Sequence, residues 1–361
     1  MTALIGPYRA LALQTRCDAI NSISDVAGCR QQMRRTIERV DRQIAGSKAF
    51  IGDDLKLVVL PEYFLTSFPN GPDLPTWVAR ACLAPDCAEY AALGEVAKKN
   101  GVYLSGNAYE VDTDFSGLSF QISFIFDDQG KLILRYRRLI SMYTATPHDV
   151  WDQFVAAYGV EAAFPVVDTP LGRLACIASE EILFPEVARA LALRGAEIFL
   201  HSSSETGSPI ATKKGIAKRA RAIENLAYVV SANSAGIASI DIPMCSTDGG
   251  SQVIDYEGRV LAEAGYGESM VASTAIDPAH IRYARGRIGM DNYLARLRLE
   301  PFASTYQMSV YPPNVLAHEK PSRAGFRAAI ERGISALTKQ NKTDHEADSK
   351  ADSAHVKANT L

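Results

Sequence analysis

Short apolar runs alternate with longer stretches of helical periodicity along most of the chain. Residues 57–60 form an unbroken apolar run, as expected of a strand that is buried on both faces. Apolar residues spaced three or four apart between Val26 and Ile44 form one stripe, which predicts an amphipathic helix. Asp25 is suited to cap the start of this helix, and Gly46 is predicted to end it.

Turn sequences that end in glycine interrupt this alternation at three places. The apolar segments 120–126 and 131–136 flank a turn at residues 127–130, and the same device recurs at residues 169–172 and 255–258. Glycine is favoured where a tight turn needs a left-handed backbone, so these segments predict β-hairpins. Strand–helix units combined with hairpins predict an α/β sandwich with mixed β-sheets.

The chain divides by composition into three parts. Residues 1–281 carry the strand and helix patterns without a visible linker, which predicts one domain. Residues 282–338 are rich in Arg, Tyr and Pro and are predicted to form a C-terminal arm that either wraps a neighbouring subunit or covers its own chain. Residues 339–361 offer almost no apolar side chain to bury and are predicted to be a disordered tail.

Composition and charge bear on the class of partner. The chain has 361 residues, of which 47% are hydrophobic, and a net charge of −3. This balance gives no bulk attraction to nucleic acid or to an anionic membrane. The apolar run at residues 10–13 is too short for a signal peptide, and none approaches the roughly 18 residues of a membrane span. We therefore expect a cytoplasmic protein without nucleic-acid or membrane partners.

The six cysteines do not suggest metal chemistry. No pair has the two-residue spacing of a zinc or redox site, and Cys82 and Cys87 are five positions apart. Scattered cysteines of this kind are usually small buried apolar residues. Neither a metal nor a cofactor is therefore expected.

Three separated segments each join an apolar strand to a residue that can carry chemistry. They are LVVLPEY at residues 57–63, GKLILRYRRL at residues 130–139, and GRLACIASEE at residues 172–181, which precedes a Phe-Pro-Glu at 184–186. In this order they resemble the motifs that carry the catalytic glutamate, lysine and cysteine of the nitrilase superfamily of carbon–nitrogen hydrolases. Residues 219–233 and 250–262 resemble two further sequence motifs of the same family. The resemblance therefore covers roughly residues 8–280.

The resemblance implies a fold, an activity and an assembly. The superfamily fold is a four-layer αββα sandwich, and the motifs look closest to those of aliphatic and carbamoyl amidases. Family members pair through two helices, which correspond here to residues 185–194 and 211–226. A homodimer or larger homo-oligomer and a small-molecule substrate are therefore expected.

Two of the three catalytic positions depart from the family pattern. Glu62 is the family glutamate, whereas Arg138 stands at the lysine position and Ser179 at the cysteine position. A serine hydroxyl is far less acidic than a thiol and needs a well-oriented base, which would have to be Glu62. Arg138 can hold negative charge on a developing oxyanion, but it cannot give up a proton at working pH.

Four other residues bear on this site. Glu180 and Glu181 directly follow Ser179, and one of them is a candidate to form an ion pair with Arg138 across the site. Cys245 is either a reactive thiol near the pocket or a plain loop cysteine. His148 is either a partner for the serine or part of a helix-start turn at residues 146–149.

Two functions remain open at this point. One is a hydrolase that cleaves a small amide through an atypical triad of Glu62, Arg138 and Ser179. The other is a catalytically inactive homologue that serves as a ligand-binding or oligomeric scaffold protein. Loss of two family residues favours the second function, whereas their replacement by a nucleophile and a cation favours the first.

Overall fold

The computed structural model describes residues 4–205 and 212–338, and the predicted tail at residues 339–361 lies outside them. Fourteen strands are found in this part of the chain: β1 Tyr8–Ala12, β2 Cys17–Asp18, β3 Leu55–Val59, β4 Tyr103–Val111, β5 Ser119–Phe126, β6 Leu132–Arg137, β7 Val167–Thr169, β8 Gly172–Ala178, β9 Ile198–Ser202, β10 Tyr228–Ala232, β11 Ile237–Ala238, β12 Gln252–Ile254, β13 Val260–Glu263 and β14 Ser273–Ile276. The helices are α1 Val26–Ile51, α2 Leu74–Ala81, α3 Ala88–Asn100, α4 Trp151–Tyr158, α5 Pro185–Leu193, α6 Lys213–Asn225 and α7 Pro278–Gly286, with a last helix at residues 323–338.

Two six-stranded sheets form the centre of the molecule. Their strand orders are β14-β1-β3-β4-β5-β6 and β13-β12-β10-β9-β8-β7, and β2 pairs with β11 in a small separate ribbon. The central strands β1, β3 and β4 run parallel, as do β8, β9 and β10, whereas the outer strands pair antiparallel. The predicted mixed sheets are confirmed.

The helices and the two sheets form four layers, with a cluster of buried apolar side chains at each of the three contacts between them. One buried cluster lies between the first sheet and the helices α1, α2 and α3. A second cluster lies between the two sheets, and a third lies between the second sheet and the helices α5 and α6. The predicted αββα sandwich is confirmed, and apolar burial on both faces explains why the central strands are almost continuously hydrophobic.

Helix α1 follows the sequence prediction at its start but not at its end. The Asp25 side chain accepts a hydrogen bond from the Gly28 amide at 2.8 Å, as expected of an N-cap. The helix continues past Gly46 and ends at Ile51, with Gly52 as its C-cap, so the predicted stop was wrong. A glycine inside a helix costs only about 1 kcal/mol, and the buried face continues beyond it with Ser47.

The three glycine-ended turns form the predicted hairpins β5–β6, β7–β8 and β12–β13. At Gly130 the backbone φ angle is +82°. A Cβ atom at Gly130 would also come within 2.6 Å of the Gly94 carbonyl oxygen in α3. Both facts favour glycine at this turn.

The C-terminal part is more folded than an extended arm. Short 3₁₀ turns at Leu294–Arg296, Glu300–Phe302 and Thr305–Gln307 precede the helix at residues 323–338. Leu316 and Phe326 are buried in a cluster with residues of β5 and α4, so this stretch covers its own chain. The division at residue 281 stays a prediction. Over the ranges that the structure describes, no helix is long and apolar enough to cross a membrane.

Candidate active site

The carboxyl ends of the parallel strands of both sheets meet at one edge of the sandwich, the usual place for a site in such sheets. Glu62 follows β3 there and is buried. Its backbone amide donates to the carbonyl oxygen of Ser203, just after β9, at 3.2 Å. The Gln121 amide group donates to Glu62 Oε1 at 2.8 Å. Glu62 is thus tied to a strand of each sheet.

Arg138 follows β6 and reaches the Glu62 carboxylate. Its Nη1 lies 3.1 Å from Glu62 Oε1 and also donates to Gln121 Oε1, while its Nε donates to the Ile140 carbonyl at 2.7 Å. Nη2 pairs with Glu180 Oε1 at 2.5 Å. Burial opposes the charge on Arg138, but the neighbouring carboxylates outweigh it and raise the pKa of the guanidinium.

The two glutamates after Ser179 have different surroundings. Glu180 forms the ion pair with Arg138 that the sequence suggested for one of them. Glu181 is fully buried, and its Oε1 accepts from the Tyr136 hydroxyl at 2.8 Å and from the backbone amides of Leu139 and Ile140. Its Oε2 accepts from the Ala178 amide at 3.0 Å. Burial raises the pKa of Glu181 against these hydrogen bonds.

Ser179 occupies a strained turn directly after β8. Its φ angle is +50°, a left-handed conformation that costs a serine about 1–3 kcal/mol and persists only where the surroundings impose it. Nε2 of His201 lies 2.8 Å from the Ser179 carbonyl oxygen, and Nδ1 of His201 lies 2.8 Å from Ser231 Oγ. Burial holds the pKa of His201 well below its usual 6.5. The neutral ring therefore donates from Nε2, since a carbonyl can only accept.

Lys214 is the site residue that the sequence analysis missed. It lies in the first turn of α6 and is partly buried, and its Nζ donates to Ser179 Oγ and to Ser203 Oγ, each at 3.1 Å. A signal was present in the sequence. Two adjacent lysines at the start of a helix oppose the helix dipole, which favours acidic residues there.

Burial is the main cause that lowers the pKa of Lys214 below its usual value. The positive charge of Arg138 acts in the same direction. The carboxylates of Glu62, Glu180 and Glu205 act against it. Glu205 also lies 3.6 Å from the buried Lys218 ammonium group.

The other candidates lie in different surroundings. Cys245 is exposed on the 3₁₀ turn Met244–Thr247. Cys176 is buried beside Ser105, and burial raises its thiol pKa to about 12. Over the described residues, no group of three or more His, Cys, Asp or Glu side chains is arranged to hold a metal ion.

His148 belongs to the 3₁₀ turn Pro147–Val150, where Thr146 and Asp149 form a capping box. The helix-start interpretation of this stretch is therefore confirmed. The ring of His148 faces Trp151 and Tyr311, with ring centroids 6.3 and 5.9 Å away.

A cavity of about 710 Å³ lies between α2 and residues 316–321. Its wall is mainly apolar and includes Trp77, Phe115 and Tyr109. The Tyr109 ring stacks on that of Tyr63, the neighbour of Glu62, with centroids 6.3 Å apart. The stack therefore connects the wall of this cavity to the residue next to Glu62.

The chain is similar in sequence to a known protein family and to two formamidases. The family model described as "Carbon-nitrogen hydrolase" matches residues 20–285. The chain is 29% identical over 245 residues to a formamidase of Pseudomonas syringae pv. tomato, which covers 66% of this chain and 64% of the relative. It is 25% identical over 308 residues to a formamidase of Bacillus thuringiensis, which covers 84% of each chain.

Solved structures show the same fold. A carbon-nitrogen hydrolase of Helicobacter pylori superposes with a TM-score of 0.63 at 21% identity, over 83% of this chain and 98% of the other. An amidase of Nesterenkonia sp. superposes with a TM-score of 0.58 at 20% identity, over 84% and 99%. At these identities the similarity concerns the fold alone.

Proposed function

Because the chain belongs to the carbon–nitrogen hydrolase family, we propose that it hydrolyses the C–N bond of a small amide with Ser179 as nucleophile. The observation that carries the proposal is the strained position of Ser179 after β8, where its neighbour Glu180 pairs with Arg138, which in turn pairs with the buried Glu62. A nucleophile on a sharp strand-to-helix turn presents its side chain to a substrate above the sheet. The similarity to formamidases supports an amide of small size.

Each residue of the atypical triad has a role in this proposal. Ser179 Oγ attacks the amide carbon and forms an acyl ester, which water then hydrolyses. Arg138 uses four of its five N–H groups on protein oxygens, which leaves one N–H and its charge for the developing oxyanion. Glu62 holds Arg138 in place and is the proposed base for the hydrolytic water.

A substrate panel tests the activity. The full-length protein is incubated with formamide, acetamide, longer aliphatic amides, carbamoyl compounds and nitriles, and ammonia release is measured together with the intact mass. Ammonia from the amides and an acyl adduct on the peptide with Ser179 support the proposal. An absence of both across the panel rejects it.

One observation favours the second function, an inactive homologue that binds a ligand. Glu180 and Glu62 both form ion pairs with the Arg138 guanidinium, so that its charge is already balanced by protein carboxylates. In that case the wild type releases no ammonia, and amides only raise its melting temperature. The double change Ser179→Cys with Arg138→Lys then restores a trace of activity, because Glu62 remains in place.

The proposal includes a homodimer or larger homo-oligomer that pairs through α5 and α6. Leu193 at the end of α5 is 50% exposed and Ile216 in α6 is 64% exposed. Phe184 and Ile223 add apolar surface on the same two segments. Exposed large apolar side chains on two helices that contact each other are typical of protein interfaces. The cytoplasmic location is likewise part of the proposal, and the free thiols of all six cysteines suit a reducing compartment.

A further inference from the structure

We propose that Lys214 takes the proton from Ser179 when the serine attacks, so that the two residues act as a serine–lysine pair. This inference rests on the proposed function, because it concerns the acylation step of the same reaction. It adds a catalytic residue that lies outside the predicted triad.

The contacts around Ser179 distinguish between three possible bases, which are Lys214, His201 and Glu62. Lys214 Nζ lies 3.1 Å from Ser179 Oγ, within reach for proton transfer. His201 bonds to the carbonyl oxygen of Ser179, so its ring holds the backbone of the turn. The polar contacts of the Glu62 carboxylate are to Gln121 and Arg138. Lys214 is therefore the base that the geometry favours for the hydroxyl proton.

Lys214 is held in position from two sides. Its second hydrogen bond is to Ser203 Oγ, and the Ser203 carbonyl in turn accepts the Glu62 amide. The Thr212 hydroxyl accepts from the Gly215 amide at 2.8 Å and fixes the start of α6 around the lysine. A base that neighbouring contacts already hold in position has a smaller entropic cost to overcome before it can accept the proton.

The charges facing Lys214 suit a base that must be neutral in part of the population. Glu62 and Glu180 are both paired with Arg138, and Glu205 lies beside Lys218. Each carboxylate near the lysine thus has another cation as its partner. Burial lowers the pKa of Lys214, and Arg138 adds to this effect, which increases the neutral fraction at a given pH.

The proton balance of the reaction then closes on Lys214. The neutral amine takes the Ser179 hydroxyl proton as Oγ bonds to the amide carbon, and the carbonyl π electrons move to the oxygen. When the carbonyl re-forms, the C–N bond breaks, and the Lys214 ammonium group gives its proton to the departing nitrogen, which leaves as ammonia. Water then attacks the ester carbon while its proton passes to Glu62. The bond between carbon and Ser179 Oγ breaks, that proton goes to Oγ, and the acid is released with Ser179 regenerated.

Three lysine variants test the assignment in the full-length protein. Lys214→Met removes the amine at similar length, and Lys214→Arg keeps a cation that cannot lose its proton at working pH. Lys213→Met changes the exposed neighbour in the same helical turn and is the matched control. Melting temperatures establish which variants fold, and kcat is measured against pH for the amide that the wild type cleaves fastest.

We expect kcat to fall by about 10²–10⁴-fold in both Lys214 variants and to stay at the wild-type value in Lys213→Met. The wild-type and control profiles should rise with pH as Lys214 loses its proton, and this limb should be absent in Lys214→Arg. Activity of Lys214→Arg within a few-fold of wild type overturns the assignment while leaving the hydrolase proposal in place. A wild type that is inert on the whole panel overturns both.

Discussion

Nη1 of Arg138 lies 3.1 Å from Oε1 of Glu62 in the buried interior, although 76 positions separate the two residues. The guanidinium also pairs with Glu180, so one cation is shared by two carboxylates. Removing one partner of a buried ion pair destabilises a protein more than removing one partner of an exposed pair. In the buried pair, no water molecules can solvate the charge that is left behind. This arrangement makes Arg138 a structural residue whatever its part in the reaction.

Arg138→Met is therefore expected to destabilise the protein strongly. The change leaves Glu62 and Glu180 without their cation, which should lower the free energy of unfolding by about 3–5 kcal/mol. Urea unfolding measures the effect. Arg35→Met on the exposed face of α1 is the control and should change stability by less than about 0.5 kcal/mol. Equal midpoints for the two variants would contradict the shared-cation interpretation.

Ser179→Ala should remove the amidase activity. Loss of a nucleophile typically costs several powers of ten in rate, so turnover should fall to the background of the assay. No acyl adduct should then form on the peptide that contains residue 179, as followed by mass spectrometry. Activity that survives this change would point to another nucleophile, and Cys245→Ala would be the next variant to measure.

His201 predicts a pH dependence of stability. Because burial holds its pKa well below 6.5 in the folded state, the unfolded chain binds a proton there that the folded chain does not. The stabilising effect is complete above pH 6.5 and is lost as the pH falls toward the folded pKa. The free energy of unfolding should drop by about 1.4 kcal/mol per pH unit in this window.

His201→Gln keeps an N–H donor for the Ser179 carbonyl but cannot titrate. Its unfolding free energy, measured in urea from pH 7 to pH 5.5, should depend less on pH than that of the wild type. Some slope should remain in both proteins, because burial also lowers the pKa of His148. Identical slopes in the two proteins would show that His201 is not the group responsible.

Assembly through α5 and α6 predicts a concentration-dependent oligomer. Sedimentation velocity at micromolar concentration should show a dimer or larger species for the wild type. Ile216→Glu places a charge on the proposed interface and should yield monomers. Phe50→Glu at the end of α1, where Phe50 is 80% exposed, is the matched control and should leave the oligomer intact. A monomeric wild type would refute the assembly.

Much of the fold was predictable because its signals are local. The stripe from Val26 to Ile44 predicted α1, and the turn that ends at Gly130 predicted a hairpin. The end of α1 was wrongly predicted at Gly46, because a single glycine is a weak stop signal when the buried face of the helix continues beyond it. The four-layer arrangement followed from the family resemblance rather than from periodicity.

The candidate site was predictable only where a motif fixes the position of a residue in the chain. Glu62, Arg138 and Ser179 each follow a strand within such a motif, and the structure brings Arg138 to Glu62 and to the neighbour of Ser179. Lys214 belongs to α6 and reaches Ser179 through tertiary packing across 35 positions. A helical pattern carries no information about which side chain of its first turn faces a strand end of the sheet.

The Glu181 carboxylate binds groups from both sheets. It accepts from the Tyr136 hydroxyl and from the Leu139 and Ile140 amides, which belong to β6 and the segment after it, and from the Ala178 amide at the end of β8. The apolar contact between the sheets is not directional and would tolerate sliding. Four hydrogen bonds at one point prevent it, since any slip would break them together. Glu181 therefore fixes the register of the strand end that precedes Arg138 against the strand end that precedes Ser179.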